Sequence, residues 1–384
     1  MRKLAIMAAI AVCAAAPGAW AQDPGVTDKE IVVGATTPFT GPAGVLGYAT
    51  AIGSQIAAAE INAAGGINGR MIRFVAEDDA YVPARTVQSV QKLIDVDKIF
   101  ALTSASGAAH TLAVLPTLEE KGIPSVTPLV ASLATFDPVR RTHFGIGMAY
   151  RDASFDLMKF LAARKPGLKW AVIVQDDESG IDQEVGFKRG ATEFKQNIVS
   201  IQRHKRGQTD FSAEVLRLRE AGANAVFMGT FPAMQASILK EAKKLGMNLY
   251  ASTLWLSHFP PMIDLLGDTG DGMVLYDFVP SLDDPSMAGF VTLAKKYANP
   301  SDLPKMNRYT LIGYVAMKVL AEGMRQCGRT LTRACTISKL DGLKDFKTGI
   351  MPPITFNAKQ HLSQVAGYPI VLDMKQKKFL PFPK

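Results

Sequence analysis

The sequence predicts an α/β protein of two lobes, each built on a parallel sheet with helices on both faces. Short runs rich in Val, Ile and Ala alternate with amphipathic stretches of helical spacing. The strand–loop–helix series occurs twice along the chain, which points to two similar lobes. A leader of 21 residues removed from 384 leaves 363, enough for two domains of ordinary size. A hydrophobic content of 48% with 20% charged residues suits a folded chain with a large core.

The elements follow in order. Glu30-Ile31-Val32-Val33-Gly34-Ala35 reads as the first strand, and Thr36 to Pro42 as the loop after it. An alanine-rich helix is expected over Tyr48 to Ala64, stopped by Gly65-Gly66 and the turn Asn68-Gly69. Met71 to Ala76 is a second strand, Pro83 to Val96 a second helix, Ile99 to Leu102 a third strand and Ile123 to Thr127 a fourth. The second series opens with a helix at Asp152–Arg164. Strands at Trp170–Val174, Ile198–Gln202 and Ala225–Met228 then alternate with helices near Glu184–Lys195, Phe211–Ala221 and Met234–Leu245.

The N-terminus carries Arg2 and Lys3, an apolar run from Leu4 to Ala16, a Pro17-Gly18 break and the small residues of Ala19-Trp20-Ala21. This is the pattern of an export signal, too short to span a bilayer, so the mature chain is expected to start at Gln22 outside the cytoplasm. Losing Arg2 and Lys3 takes the formal charge from +8 to +6. The densest basic runs are Arg203-His204-Lys205-Arg206 and Lys375-Gln376-Lys377-Lys378. They lack the interleaved aromatics of a nucleic-acid stripe and read as solvated surface, with the excess charge attracting anions. Cys13 lies in the leader, where bulky Val12 before it argues against lipidation. Cys327 and Cys335, eight apart in an oxidising compartment with no histidine nearby, are expected to pair as a disulfide rather than hold a metal.

Four motifs then appear in a fixed order. They are Ile31-Val32-Val33-Gly34 with Pro38-Phe39-Thr40-Gly41; Glu60-Ile61-Asn62 running into Gly65-Gly66-Ile67-Asn68-Gly69; Asp78-Asp79-Ala80-Tyr81-Val82-Pro83; and Gln175-Asp176-Asp177, Gly180 and Phe187-Lys188-Arg189-Gly190. In this order the chain resembles periplasmic solute-binding proteins of the branched-chain amino-acid type of ABC importer, over most of its mature length. The resemblance implies two Rossmann-like lobes, residues 22–146 plus 279–353 and residues 147–278 plus 354–384. Three crossing strands near Phe144–Met148, Leu275–Val279 and Ile354–Phe356 would join them. It also implies a periplasmic monomer that needs no cofactor, holds a small carboxylate or amino acid between its lobes and delivers it to membrane permease subunits. Open α/β sheets bind ligands beyond the carboxyl ends of their strands, and two such edges facing one another make a cleft that closes by hinge motion.

Within that frame, the loop Thr103 to Thr111 leaves a strand and enters a helix, where small residues expose backbone amides to an anion. By resemblance, this loop and Pro128 to Ser132 hold a carboxylate. Ser104, Ser106, Ala108, Ala131 and Ser132 are the expected contacts, with His110 as a further candidate or a structural histidine. Tyr150 is expected to line the second lobe or to be a core tyrosine. Thr230 and Phe231 end a strand facing the cleft, Trp255 ends the next one, and Asp277 and Phe278 lie on the second crossing. Asp277 is expected either to meet a polar ligand group or to brace the hinge.

One departure bears on the ligand. Amino-acid binders of this family place an acid after that strand to meet the ammonium group, whereas here Trp255 stands there and no acid lies between Tyr250 and Met262. A buried ammonium without a counter-charge is costly, and a cation–π contact compensates only in part. The expected solute is therefore an aromatic or hydrophobic carboxylate, with a branched-chain or other amino acid as the alternative. An enzyme is disfavoured by the lack of a Gly-x-Ser-x-Gly elbow, a phosphate-binding Gly-Lys-Ser/Thr loop or a His-Glu-x-x-His pair. The acid groups Glu77-Asp78-Asp79 and Asp176-Asp177-Glu178 read as turn acids rather than metal ligands. A freely diffusing sensor for a signalling partner is the third class.

Overall fold

The computed structural model describes residues 22–383, so the expected export leader lies outside the described residues. The first sheet holds β1 (Glu30–Thr37), β2 (Met71–Asp78), β3 (Ala101–Leu102), β4 (Ser125–Thr127) and β5 (His143–Gly145). Its strands lie in the order β2-β1-β3-β4-β5, all parallel. Helices α1 (Gly44–Ala63), α2 (Pro83–Asp95) and α3 (Gly107–Glu120) connect them. The second sheet holds β6 (Lys169–Gln175), β7 (Asn197–His204), β8 (Ala225–Gly229), β9 (Tyr250–Leu254) and β10 (Val274–Asp277). It is extended by β11 (Tyr368–Asp373) and β12 (Lys378–Pro381), giving the order β12-β11-β10-β9-β8-β6-β7. Around it lie α4 (Tyr150–Arg164), α5 (Glu178–Glu193), α6 (Ser212–Glu220), α7 (Pro232–Lys244) and α8 (Pro261–Leu266). The chain then returns to the first lobe through α9 (Ala288–Tyr297), α10 (Arg308–Arg325) and α11 (Arg333–Asp341).

The strands form where the sequence is apolar on both faces. Trp170 to Val174 on β6 and Ala225 to Met228 on β8 are wholly buried, as central strands of a covered parallel sheet must be. The small residues of α1 serve packing: it lies against α10 so closely that a Cβ on Gly53 would sit 1.9 Å from the Thr310 carbonyl. Cys327 and Cys335 form a disulfide between the end of α10 and the start of α11. Among the described residues no helix is long and apolar enough to cross a membrane.

The run Lys375 to Lys378 is exposed surface, as the sequence predicts, while one crossing differs from the expectation. The basic run at Lys375 lies in the turn of an antiparallel hairpin, β11–β12, that continues the second sheet at its edge. The third crossing comes later than Ile354–Phe356. Ile354 bridges back to Phe346, and Leu362 bridges to Gly145 beside β5. The change of lobe falls between Ser363, whose amide donates to Gly145 O, and Tyr368 at the start of β11. The apolar pattern at 354–356 serves the first lobe's edge and not the hinge.

At the hinge, residues 146–149 and 363–367 run side by side, with Val365 N donating to Gly147 O at 3.2 Å. The Phe278 ring of the second crossing packs on Gly147. Arg308, the first residue of α10, reaches from the first lobe to Asp277 at the end of β10, Nη2 to Oδ1 at 2.7 Å, with both side chains fully buried.

Candidate functional site: an interlobe cleft

In the first sheet the chain runs from β1 outward to β2 and then back past β1 to β3. In the second it runs from β6 outward to β7 and then back to β8. Each reversal opens a crevice beyond the strand ends, the place where doubly wound sheets take ligands. Here the two crevices face one another across a cleft of about 760 Å³, part of it open to solvent. The wall carries the residues after β1 (Pro38, Ala43), after β3 (Ser106, Gly107), after β6 (Gln175, Asp177) and after β8 (Thr230, Phe231).

Six aromatic side chains line the cleft: Tyr81, Tyr150, Phe231, Trp255, Phe278 and Tyr309. Trp255 stacks on Tyr150, ring centroids 5.3 Å apart and 16° between planes, and meets the Phe278 ring edge-on at 4.9 Å. Tyr81 from the first lobe meets Phe231 from the second at 5.1 Å and 80°. Tyr81 reaches that position because Ala80 and Tyr81 both take left-handed backbone, φ +49 and +59, a strained pair held by its neighbours. Asp78 accepts from the amides of Phe39 and Ala80, and Asp79 accepts from the Tyr81 amide. Burial pushes the Tyr81, Tyr150 and Tyr309 phenols up, so all three stay protonated and able to donate.

The electrostatics of the wall follow from helix ends. The first turns of α1 and α3, both in the first lobe, reach the cleft, and neither holds an acid or a capping side chain. Their N-terminal dipoles and amides give that side of the cleft a positive bias. The acids beside it are already engaged. Asp79 accepts hydroxyl hydrogen bonds from Thr36, Thr86 and Ser106. Asp177 caps α5 by accepting from Gly180 N at 3.0 Å, and also accepts from Gln175 and from Arg206 at 3.3 Å. Asp277 accepts from His258, Arg308 and the amides of Phe278 and Val279.

Of the residues expected from sequence, Ser106, Ala131, Tyr150, Thr230, Phe231, Trp255 and Phe278 come together on the cleft wall. Five do not. Asp277 lies behind Phe278, fully buried in the hinge network with Arg308 and His258, so it braces the hinge. Ser132 Oγ donates across the lobes to Asp182 Oδ2 at 2.8 Å. His110 lies behind Tyr81, ring centroids 4.4 Å apart, and burial pushes its pKa down to about 4, which leaves a neutral ring. Ala108 is buried in the first turn of α3, where the neighbouring Gly107 takes the wall position instead. Ser104 is buried, its carbonyl accepting from Thr36 N of β1.

Sequence reasoning missed the contribution of the α5 start, Gln175, Asp177, Ser179, Gly180 and Gln183, and also Tyr81 and Tyr309. The Asp176-Asp177-Glu178 group looked like solvated turn acids, yet Asp177 is on the wall. The basic run beside it is also less solvated than expected. Arg203 pairs with Glu184 at 2.8 Å, His204 is buried, and Arg206 lies 4.9 Å over the Tyr81 ring while pairing with Asp177.

Two lobes on a three-strand hinge, with a cleft at paired sheet reversals, define the type I class of solute-binding proteins. The family described as periplasmic binding protein matches residues 30–371, and the chain belongs to it. An amino acid binding protein of Pseudomonas aeruginosa is 27% identical over 228 residues, 57% of this chain; the match spans 58% of that relative's length. A branched chain amino acid ABC transporter protein of Thermus thermophilus, solved with bound valine, superposes with a TM-score of 0.83 at 21% identity, covering 94% of this chain and 97% of that one. An ABC transporter solute binding protein of R. palustris, solved in complex with 4-hydroxybenzoate, gives a TM-score of 0.81 at 19% identity, covering 93% and 96%.

Proposed function

We propose that this chain is the extracytoplasmic solute-capturing component of an ABC importer and that its solute is a small aromatic or hydrophobic carboxylate. The observation that carries the ligand class is a charge imbalance on and just behind the wall. The uncapped starts of α1 and α3 offer donors to an anion, while Asp79, Asp177 and Asp277 are each committed to protein donors. A carboxylate gains from the first set; an ammonium group would have to break the second. The six aromatic rings supply flat apolar surface for the body of the solute. Related folds hold valine in one case and 4-hydroxybenzoate in another, so the fold accommodates both ligand classes and the wall chemistry decides between them.

The competing amino-acid reading has one specific observation in its favour, the presence of Asp177 on the wall. Its carboxylate already neutralises Arg206 and caps α5, which weighs against a further cation. We also assign the lobes as residues 22–146 plus 279–362 and 147–278 plus 363–383, moving the last boundary to where the chain changes sheet. Delivery would be to membrane permease subunits, by a monomer outside the cytoplasm that performs no catalysis. A thermal-shift screen of the mature protein against aliphatic acids, aromatic acids and amino acids tests the reading, because a bound solute raises the melting midpoint by mass action. Stabilisation by amino acids alone would overturn it.

A further inference from the structure

Two buried glutamines of the cleft wall each leave a side-chain carbonyl oxygen without a partner among the described residues. Gln175 stands at the carboxyl end of β6 and Gln183 on the second turn of α5, and both side chains line the cleft while remaining almost wholly buried. The amide orientation of each is fixed by its nitrogen. Gln175 Nε2 donates to the Asp177 carboxylate, and Gln183 Nε2 donates to the Ser179 carbonyl at 3.2 Å. What remains on each is Oε1, an acceptor, and neither Oε1 meets a donor among the described residues. A buried acceptor left unmade is costly, so a group that satisfies it gains twice. Gly229 packs beside Gln183, and a Cβ there would lie 3.1 Å from Gln183 Oε1.

We propose that Gln175 and Gln183 determine specificity by accepting hydrogen bonds from a neutral donor on the solute, a hydroxyl group carried apart from its carboxylate. The charge state follows from the surroundings. The nearby carboxylate of Asp177 is already bound by Gly180 N, Gln175 and Arg206, so the local field offers acceptors without a spare negative charge. The opposite wall supplies donors from the start of α3. The cleft is therefore polarised, with donors for the anion on the first lobe and acceptors for a hydroxyl on the second. A hydroxylated aromatic or hydrophobic acid satisfies both. This inference rests on the carboxylate reading above.

Calorimetry on the mature protein with benzoate and its 2-, 3- and 4-hydroxy derivatives tests it. At least one hydroxybenzoate should bind tenfold or more tighter than benzoate, because a site built around a hydroxyl discriminates strongly against its absence. In Gln183→Leu that ratio should collapse toward one, through loss of the hydroxybenzoate's advantage. Gln175→Leu gives a second arm should the first variant lose its fold. A ratio that survives both substitutions overturns the assignment. Leucine and its deaminated analogue, 4-methylpentanoate, run in parallel. If only leucine binds, the carboxylate reading fails. Loss of leucine binding in Gln183→Leu would then make the recognised donor an ammonium and overturn the neutral-hydroxyl class, and unchanged binding would overturn the role of the glutamine. Binding of neither series overturns both.

Discussion

Ser132 and Asp182 join the two lobes across the cleft: the Ser132 hydroxyl donates to Asp182 Oδ2 at 2.8 Å, and the Leu133 amide donates to the same oxygen at 2.7 Å. Asp182 Oδ1 is held by Arg151 at 2.6 Å within the second lobe. The Ser132 hydroxyl that the family resemblance assigns to a solute carboxylate is thus occupied by a carboxylate of the protein itself. Asp182→Ala should open the lobes and weaken binding of every solute alike, by about 1.5–3 kcal/mol for a hydrogen-bonded charge. Ser132→Ala should cost about 0.5–1.5 kcal/mol. If Ser132 instead held the solute, removing Asp182 would free its hydroxyl and binding would tighten, so calorimetry on Asp182→Ala separates the two by sign.

Gly107 is the wall residue of α3, with φ +65, and a Cβ there would lie 2.9 Å from Tyr81 Oη and 3.1 Å from His110 Nδ1. Gly107→Ala should lower stability by about 1 kcal/mol or more, through the left-handed backbone, and push Tyr81 out of place. Solute binding should fall more than the stability change alone explains. Ala108→Gly, one residue on, should leave binding within about 1 kcal/mol of the parent, the usual cost of glycine in a helix. Equal effects of the two substitutions would argue against Gly107 as the anion-facing position.

The acid arm of the stability curve should carry the buried histidines. Burial pushes His110 from its ordinary 6.5 to about 4, and burial with help from His361 and Arg140 pushes His143 to about 3. The native state keeps both neutral while the unfolded chain takes up protons below about 6.5. Their contribution is therefore intact above that pH and is lost as the pH falls towards 4 and then 3. For His110 the loss should approach roughly 3 kcal/mol. Urea unfolding at a series of pH values checks this: His110→Phe, which keeps a ring against Tyr81, should show a shallower fall between pH 6.5 and 4. An unchanged slope would mean that His110 is not held neutral.

How far the sequence revealed this molecule depends on what each residue does locally. Strands such as β6 and β8 are buried on both faces, so they appear as unbroken apolar runs that need no tertiary knowledge to read. Trp255 and Phe231 were legible because large rings at the carboxyl ends of such strands have the cleft in front of them. Ser132 and Asp277 looked the same as ligand contacts, since a polar residue at a strand end reads alike whether its partner is a solute, Asp182 or Arg308. The α5 start was missed for the converse reason: Asp177 is a good helix cap, and a cap gives no sign of which surface it faces. The late third crossing was hidden because Ile354 and Leu362 pair at the first lobe's edge with the alternation a hinge strand would also show.

Intrinsic fluorescence should report the cleft. The mature chain expected from Gln22 onward has two tryptophans, Trp170 and Trp255. Trp170 is fully buried at the start of β6 against Phe187 and Tyr250, far from the strand's carboxyl end, while Trp255 lines the cleft. Solute binding should change the emission in the parent and equally in Trp170→Phe. Trp255→Ala should abolish the change and lose about 2 kcal/mol or more of binding, as for a buried aromatic anchor. A signal that disappears with Trp170 instead would place the solute elsewhere.

The central claim, that the cleft takes a carboxylate and offers no counter-charge to an ammonium group, is tested most directly by titrating phenylalanine and 3-phenylpropanoate into the mature protein in a calorimeter. The two ligands share ring, chain and carboxylate and differ only in the amino group. The acids Asp79, Asp177 and Asp277 are all committed to protein donors, so the deaminated acid should bind the tighter of the two. Tighter binding of phenylalanine would contradict the claim and return the protein to the amino-acid-binding members of its family.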